Sequence, residues 1–171
     1  MAALDPGLDA HLEVYGDGPF RPAVETAIAR HGVGDRVALH GRIPLEDLPP
    51  RLAEADIGLV PTRPEPYLAY SLSTKLLEDV AMGVPVIASD LAAMRAHFTD
   101  AAVRYVPGGD PAALAAAIGA MASDPDGAAA QAAEARRQAA PYAWSVQAER
   151  YLAVVDELLA RRGRLDPSGG V

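Results

Sequence analysis

A lysine and a glutamate stand one helical turn apart behind a run of hydroxyls in SLSTKLLEDVAMGVPVIASD, residues 71–90. Lys75 is the only lysine among the 15 Lys and Arg residues. Ser73 or Thr74 is placed to cap the helix that follows, which leaves the amides near Thr74, Lys75 and Leu76 pointing out of its start. Such a start attracts an anion through its amides and its dipole. Lys75 adds a compact positive charge suited to phosphate. Glu78 lies on the same helix face and offers a carboxylate that accepts two hydrogen bonds from a vicinal diol such as a ribose. The alternative is an ordinary capped helix with a solvated Lys–Glu pair, worth about 0.2–0.5 kcal/mol. The residues alone leave both readings open.

Two glycine-bearing turns could share that work. Gly16-Asp17-Gly18-Pro19 follows an apolar run and reads first as a tight strand-to-helix turn; glycine there would also let a ligand approach the backbone closely. Gly41-Arg42-Ile43-Pro44 either ends a strand or opens a slot where the backbone of Arg42 and Ile43 reads a flat base edge. A longer loop, 61–74, carries the prolines of PTRPEPY and leads into the hydroxyl cluster.

Other chemistries find little support. Without cysteine there is no disulfide, thiolate nucleophile or Cys-based zinc site. His11, His31, His40 and His97 show no metal spacing, no nucleophile elbow appears, and no metal or cofactor is expected. Asp56 and Asp90 flank strands as caps or turn formers, and Trp144 and Tyr151, seven apart, mark a packed helix face. A net charge of −8 and a pI of about 4.9 argue against a nucleic-acid partner. The apolar runs are too short for a transmembrane segment and no signal-peptide pattern opens the chain, so a cytoplasmic protein is expected, at most held at the inner membrane through a partner.

The elements that must position these residues alternate. Strands are expected over 11–16, 36–41, 56–61, 84–89 and 102–109, and helices over 21–32, 45–55, 73–83 and 91–98. Asp110-Pro111 caps a helix through 121, and helices follow at 127–139 and 143–162. Strands separated by helices imply an α/β fold with a parallel sheet, and unbroken apolar strands imply helices on both faces. In such a sheet ligands bind beyond the carboxyl ends of the strands, where the strand order reverses. The domain is expected over 11–162, after a short lead of residues 1–10 and before a flexible tail, 163–171.

The order of these pieces resembles the C-terminal, nucleotide-sugar-binding domain of family 4 retaining glycosyltransferases, which have the GT-B fold. The segments that carry the resemblance are LEVYGDGP, VGDRVALHGRIPLEDLPPRLAEADIGLVP, SLSTKLLEDVAMGVPVIASD, VRYVPGGDPAALAAAIGAM and YAWSVQAERYLAVV, together spanning about residues 11–158. The resemblance implies that Glu78 binds the donor ribose, that the backbone at Leu72, Ser73 and Thr74 meets the diphosphate, that Arg42 and Ile43 frame the base, and that Gly16 and Gly18 line the pocket wall. The phosphate role of Lys75 comes from its chemistry and not from the resemblance. Where the family places a second glutamate, eight residues before the first, this chain has Tyr70.

The resemblance also implies a Rossmann-like opening strand and helix, with an Arg and a Lys that clamp the diphosphate, and an N-terminal acceptor domain. These 171 residues carry neither, so a donor-binding half is expected, N-terminally truncated with respect to the family. It would need a missing acceptor-binding domain or partner chain for transfer. No catalytic residue is assigned to this half. The alternatives are a non-catalytic nucleotide-sugar-binding accessory subunit and an inactive remnant. A free edge beside HLEVYG would favour self-association or a partner.

Overall fold

A computed structural model describes residues 1–63 and 65–165. In chain order the elements are β1 (Leu12–Tyr15), α1 (Arg21–His31), β2 (Val37–Gly41), α2 (Leu48–Ala53) and β3 (Gly58–Val60). There follow α3 (Thr74–Met82), β4 (Val86–Ser89), α4 (Ala92–Arg95), β5 (Val103–Val106), α5 (Pro111–Ala122), α6 (Pro125–Ala139) and α7 (Trp144–Leu165). All strand pairs are parallel. The fold is α/β, as the alternation implies.

The core sits around β4, whose four residues are all buried. Val86 and Ala88 face a cluster with Leu76 and Val80 of α3, Met94 of α4, Phe98 and Ala135 of α6. Ile87 faces the opposite way, toward Ala117 and Met121 of α5. Burial on both faces is why this strand reads as an unbroken apolar run. α3 sits between β3 and β4 in sequence and ends at Gly83, whose φ of 80° closes the helix in a left-handed turn. The following amide, of Val84, donates to Asp79 O at 3.0 Å.

The strands divide between two sheets, β1–β2 and β3–β4–β5. No residue of α1 is buried, and β1 and β2 are at best half-buried. Leu12 and Val14 alternate with Glu13 and Tyr15, and the second pair shares a face with His40. That ring stacks on Tyr15 at 4.7 Å between centroids, and its Nε2 meets the Glu13 carboxylate. His40 is thus a sheet-surface residue. Among the described residues β1 pairs on one side only, which leaves the expected free edge.

Local expectations hold at several caps. Asp110 Oδ1 accepts from the amides of Ala112 at 3.0 Å and Ala113 at 2.9 Å, and Gly32 ends α1 at φ 61°. Three details differ. Residues 66–70 form a 3₁₀ turn inside the expected loop. α7 runs on to Leu165, so 163–165 are helical, while the rest of the expected tail lies outside the described residues. Trp144 and Tyr151 are 72% and 63% exposed, because among the described residues nothing packs over that face of α7.

Phe98 and Phe20 test where stability resides. Phe98→Ala should cost about 3–5 kcal/mol in chemical unfolding, because its ring is fully buried. Phe20→Ala should stay within about 0.5 kcal/mol, since that ring is 78% exposed.

Candidate functional site

α3 is anchored by the residues that point inward. Leu76 and Val80 are completely buried, and half-buried Leu72 and Leu77 pack against the same cluster. The remaining positions turn outward: Thr74, Lys75 and Glu78 are exposed and Ser73 is half-buried. Ser73, one of the two residues that the sequence offered, occupies the N-cap with extended backbone, φ −71° and ψ 125°. Its side chain makes no capping hydrogen bond, which the sequence did not imply. α5 and α6 are capped by Asp110 and Asp124, whereas α3, like α1, α2 and α4, leaves its first amides uncovered by a side chain.

The solvated Lys75–Glu78 pair does not form. Among the described residues neither side chain makes a hydrogen bond or ion pair. One turn of helix therefore presents open amides, an unpaired ammonium and an unpaired carboxylate together.

The turns after β1 and β2 meet each other. Gly16 N donates to Gly41 O at 2.6 Å, and both glycines have positive φ, 128° and 71°. A Cβ at Gly16 would meet nothing within 4 Å, so that backbone is open to approach. Gly18 forms the turn into α1: its amide donates to Asp17 Oδ1 at 2.8 Å and its carbonyl accepts from Arg21 N at 3.0 Å. Arg42 is exposed and Ile43 half-buried just beyond Gly41. The structure thus groups Gly16, Gly18, Arg42 and Ile43 at one set of strand ends, and Leu72, Ser73, Thr74, Lys75 and Glu78 at the start of α3. No hydrogen bond or ion pair among the described residues links the two groups.

Two residues that the sequence reading passed over belong beside these. Arg21, in the first turn of α1, donates from Nη2 to Leu39 O at 3.3 Å and pairs through Nε with Glu25 at 2.9 Å, so a guanidinium lies beside the Gly41 turn. Asp79 is buried against β3, where a Cβ at Gly58 would stand 2.5 Å from its Oδ2. Burial, reinforced by the charge of neighbouring Glu78, raises the Asp79 carboxyl from 3.8 to about 6. Its signal was legible: Asp79 lies three residues after Leu76 and next to Val80, a carboxylate on the inward stripe.

Asp90 plays a structural part. Arg95 holds it through Nε at 2.5 Å and Nη2 at 3.0 Å, reaches Asp100 at 3.1 Å, and stacks 4.3 Å from the Tyr105 ring centre. The guanidinium keeps the Asp90 carboxyl below its usual range. Among the described residues no group of three or more His, Asp or Glu could hold a metal. A recess of about 300 Å³ lies between residues 6–11 and Asp35–Arg36, at the amino ends of β1 and β2. It contains none of the candidate residues, and the carboxyl ends are where such sheets bind ligands.

The glycosyl transferases group 1 family matches residues 1–124. The chain belongs to that family. It is 34% identical over 182 residues to D-inositol 3-phosphate glycosyltransferase of Thermobispora bispora, an alignment covering 99% of this chain and 40% of that one. It is 32% identical over 125 residues to a GDP-mannose-dependent phosphatidylinositol monomannoside mannosyltransferase of Mycolicibacterium smegmatis, covering 71% and 33%. The chain thus spans about two fifths or less of these relatives.

Among solved structures, sucrose-phosphate synthase of Thermosynechococcus elongatus superposes with a TM-score of 0.78 and 27% identity, over 88% of this chain and 39% of that one. Anabaena HepE in complex with UDP-glucose gives 0.79 and 20%, over 91% and 43%. The architecture is that of the GT-B glycosyltransferases. Among the described residues no helix is long and apolar enough to cross a membrane.

Asp79 generates a pH prediction. The folded carboxyl keeps its proton up to about 6, while the unfolded one releases it near 3.8, so between these values the folded chain binds more protons. Its contribution to stability is therefore present in acid and lost as pH rises through about 6. Asp79→Asn should gain melting temperature over wild type at pH 7 compared with pH 4. Glu78→Gln should move the wild-type midpoint of that loss downward. A pH-independent difference between wild type and Asp79→Asn would contradict this account.

Proposed function

We propose that the chain is the nucleotide-sugar donor-binding half of a family 4 retaining glycosyltransferase, which passes the sugar to an acceptor held by another domain or a partner chain. The start of α3 carries this reading, with its uncapped amides beside Lys75 and Glu78 and neither side chain engaged elsewhere. In support, this face follows the loop at the carboxyl end of β3, the side on which doubly wound sheets take ligands. Family membership makes sugar transfer the expected chemistry.

The amides of Thr74 and its neighbours together with Lys75 would hold the diphosphate. Glu78 would accept from the ribose hydroxyls one turn further along. The Gly16–Gly41 contact would bring Gly16, Gly18, Arg42 and Ile43 together beside the base and the donor. Transfer breaks the bond between the sugar anomeric carbon and the diphosphate and forms one to the acceptor oxygen, so stabilising the departing diphosphate is this half's task. Positive charge from amides and Lys75 would serve without a metal.

Titration of nucleoside diphosphates tests the assignment. A charge-assisted hydrogen bond is worth about 1.5–3 kcal/mol, so Glu78→Ala should weaken binding about 10- to 100-fold. Glu78→Gln should fall between. Lys75→Ala should weaken diphosphates more than the bare nucleoside and flatten the salt dependence. Unchanged affinity in both alanine variants would reduce this stretch to a helix start without a ligand.

A further inference from the structure

Among the described residues Asp79 is the only buried ionisable side chain, 7% exposed. Its carboxyl makes no hydrogen bond or ion pair among them. Gly58 of β3 makes the room for it: a Cβ there would stand 2.5 Å from Oδ2 and 2.7 Å from Cγ. No side-chain oxygen among the described residues is both shut off from solvent and without a partner, so this carboxyl keeps a sliver of water contact through which a proton can come and go. The charge state of an unpaired group in such a place is set by burial and by whatever charge stands near it.

The start of α3 is near enough to supply that charge. Thr74 and Asp79 are five residues apart on one helix, about 7.5 Å along its axis. That lies inside the roughly 10 Å over which charges stay coupled at ordinary ionic strength, and the packed helix between them screens less than water does. Glu78 already acts in this way: burial raises the Asp79 carboxyl to about 6, and the Glu78 charge adds to it. Lys75, four residues before Asp79, carries one opposing charge. The elements packed on α3 are α2, α6, β3 and β4. On α2, Arg51 pairs with Glu54 at 3.7 Å. On α6, Glu134 pairs with Arg137, and Arg136 lies beside Gly83 at the far end of α3. β3 and β4 carry no ionisable side chain, and Asp56 ahead of β3 is exposed.

We propose that Asp79 makes occupation of this helix start proton-linked: a diphosphate held there draws a proton onto Asp79, and donor affinity rises in mildly acidic solution. The proposal rests on the donor-site reading of α3. The two negative charges of an esterified diphosphate outweigh the single positive charge of Lys75, so filling the site disfavours the ionised form of Asp79 further. The complex then binds more protons than the free chain, and by linkage affinity falls as pH rises through about 6.

The experiment uses the 171-residue chain with UDP-glucose, GDP-mannose and ADP-glucose. Their diphosphates are esterified at both ends and carry no group that titrates in this range. Calorimetry at about pH 5.5 and about pH 8 should show about 3- to 10-fold tighter binding in the more acidic solution. Near pH 6.5, buffers of different ionisation enthalpy should reveal uptake of about 0.3–0.5 proton per ligand. Asp79→Asn keeps the shape of the neutral form, so at the higher pH it should bind as tightly as the wild type does at the lower one, and the uptake should vanish. The variant retains all four histidines, so the difference between the two proteins belongs to Asp79. A residue with a merely structural role would instead weaken binding at both pH values when replaced. If the variant does not fold, carbon NMR of the Asp79 carboxyl in the unsubstituted chain decides, since it should titrate at higher pH with ligand than without. Equal affinity at both pH values in both proteins, or an Asp79 titration that ligand leaves in place, would overturn this proposal alone. No binding of any of the three donors would overturn it together with the donor-site reading.

Discussion

The two-sided burial of β4 is the constraint on which the later part of the chain depends. A strand without an exposed residue needs helices on each face, and the alternation of Val86, Ile87 and Ala88 dictates which side chains each set must meet. α3 answers one face with Leu76 and Val80. Once those two are inward, the rotation of the helix is fixed and Lys75 and Glu78 must turn outward. The orientation of the candidate site is thus a by-product of core packing.

The net charge of −8 works against the site, away from Lys75 and from Arg21 and Arg42 at the Gly41 turn. An acidic chain repels a diphosphate at long range, and screening confines the repulsion to about 10 Å at ordinary ionic strength. Within that distance the amides and Lys75 decide the sign of the local field. Burial of Asp79 directly behind Glu78 raises its carboxyl to about 6, so only below that pH do the two adjacent acids avoid placing two negative charges near the helix start.

Much of this was legible in the sequence because the signals were local. The alternation of apolar runs with helical stripes placed every strand and helix, and Gly32, Gly83 and Asp110 marked ends that depend on a few neighbouring residues. The α/β class and the Ser73 N-cap position were readable for the same reason. What the sequence did not report depended on distant partners. Trp144 and Tyr151 are spaced as a packed face, but spacing does not say whether anything lies opposite. The division into two sheets depends on which strands pair, and no single strand's composition reports that. Asp79 was readable from the stripe of α3, yet Gly58, the residue that makes room for it, is twenty-one positions earlier.

The solitary lysine has a consequence for protein chemistry. Lys75 is exposed, unpaired and the only source of an ε-amine in the sequence. Amine-directed acylation of side chains is therefore single-site by composition, with no exposed competitors to sort from the product. An acetyl or sugar adduct formed there would neutralise or crowd the helix start itself. Adventitious modification, usually spread harmlessly over many surface lysines, is concentrated in this chain on the residue next to the open amides.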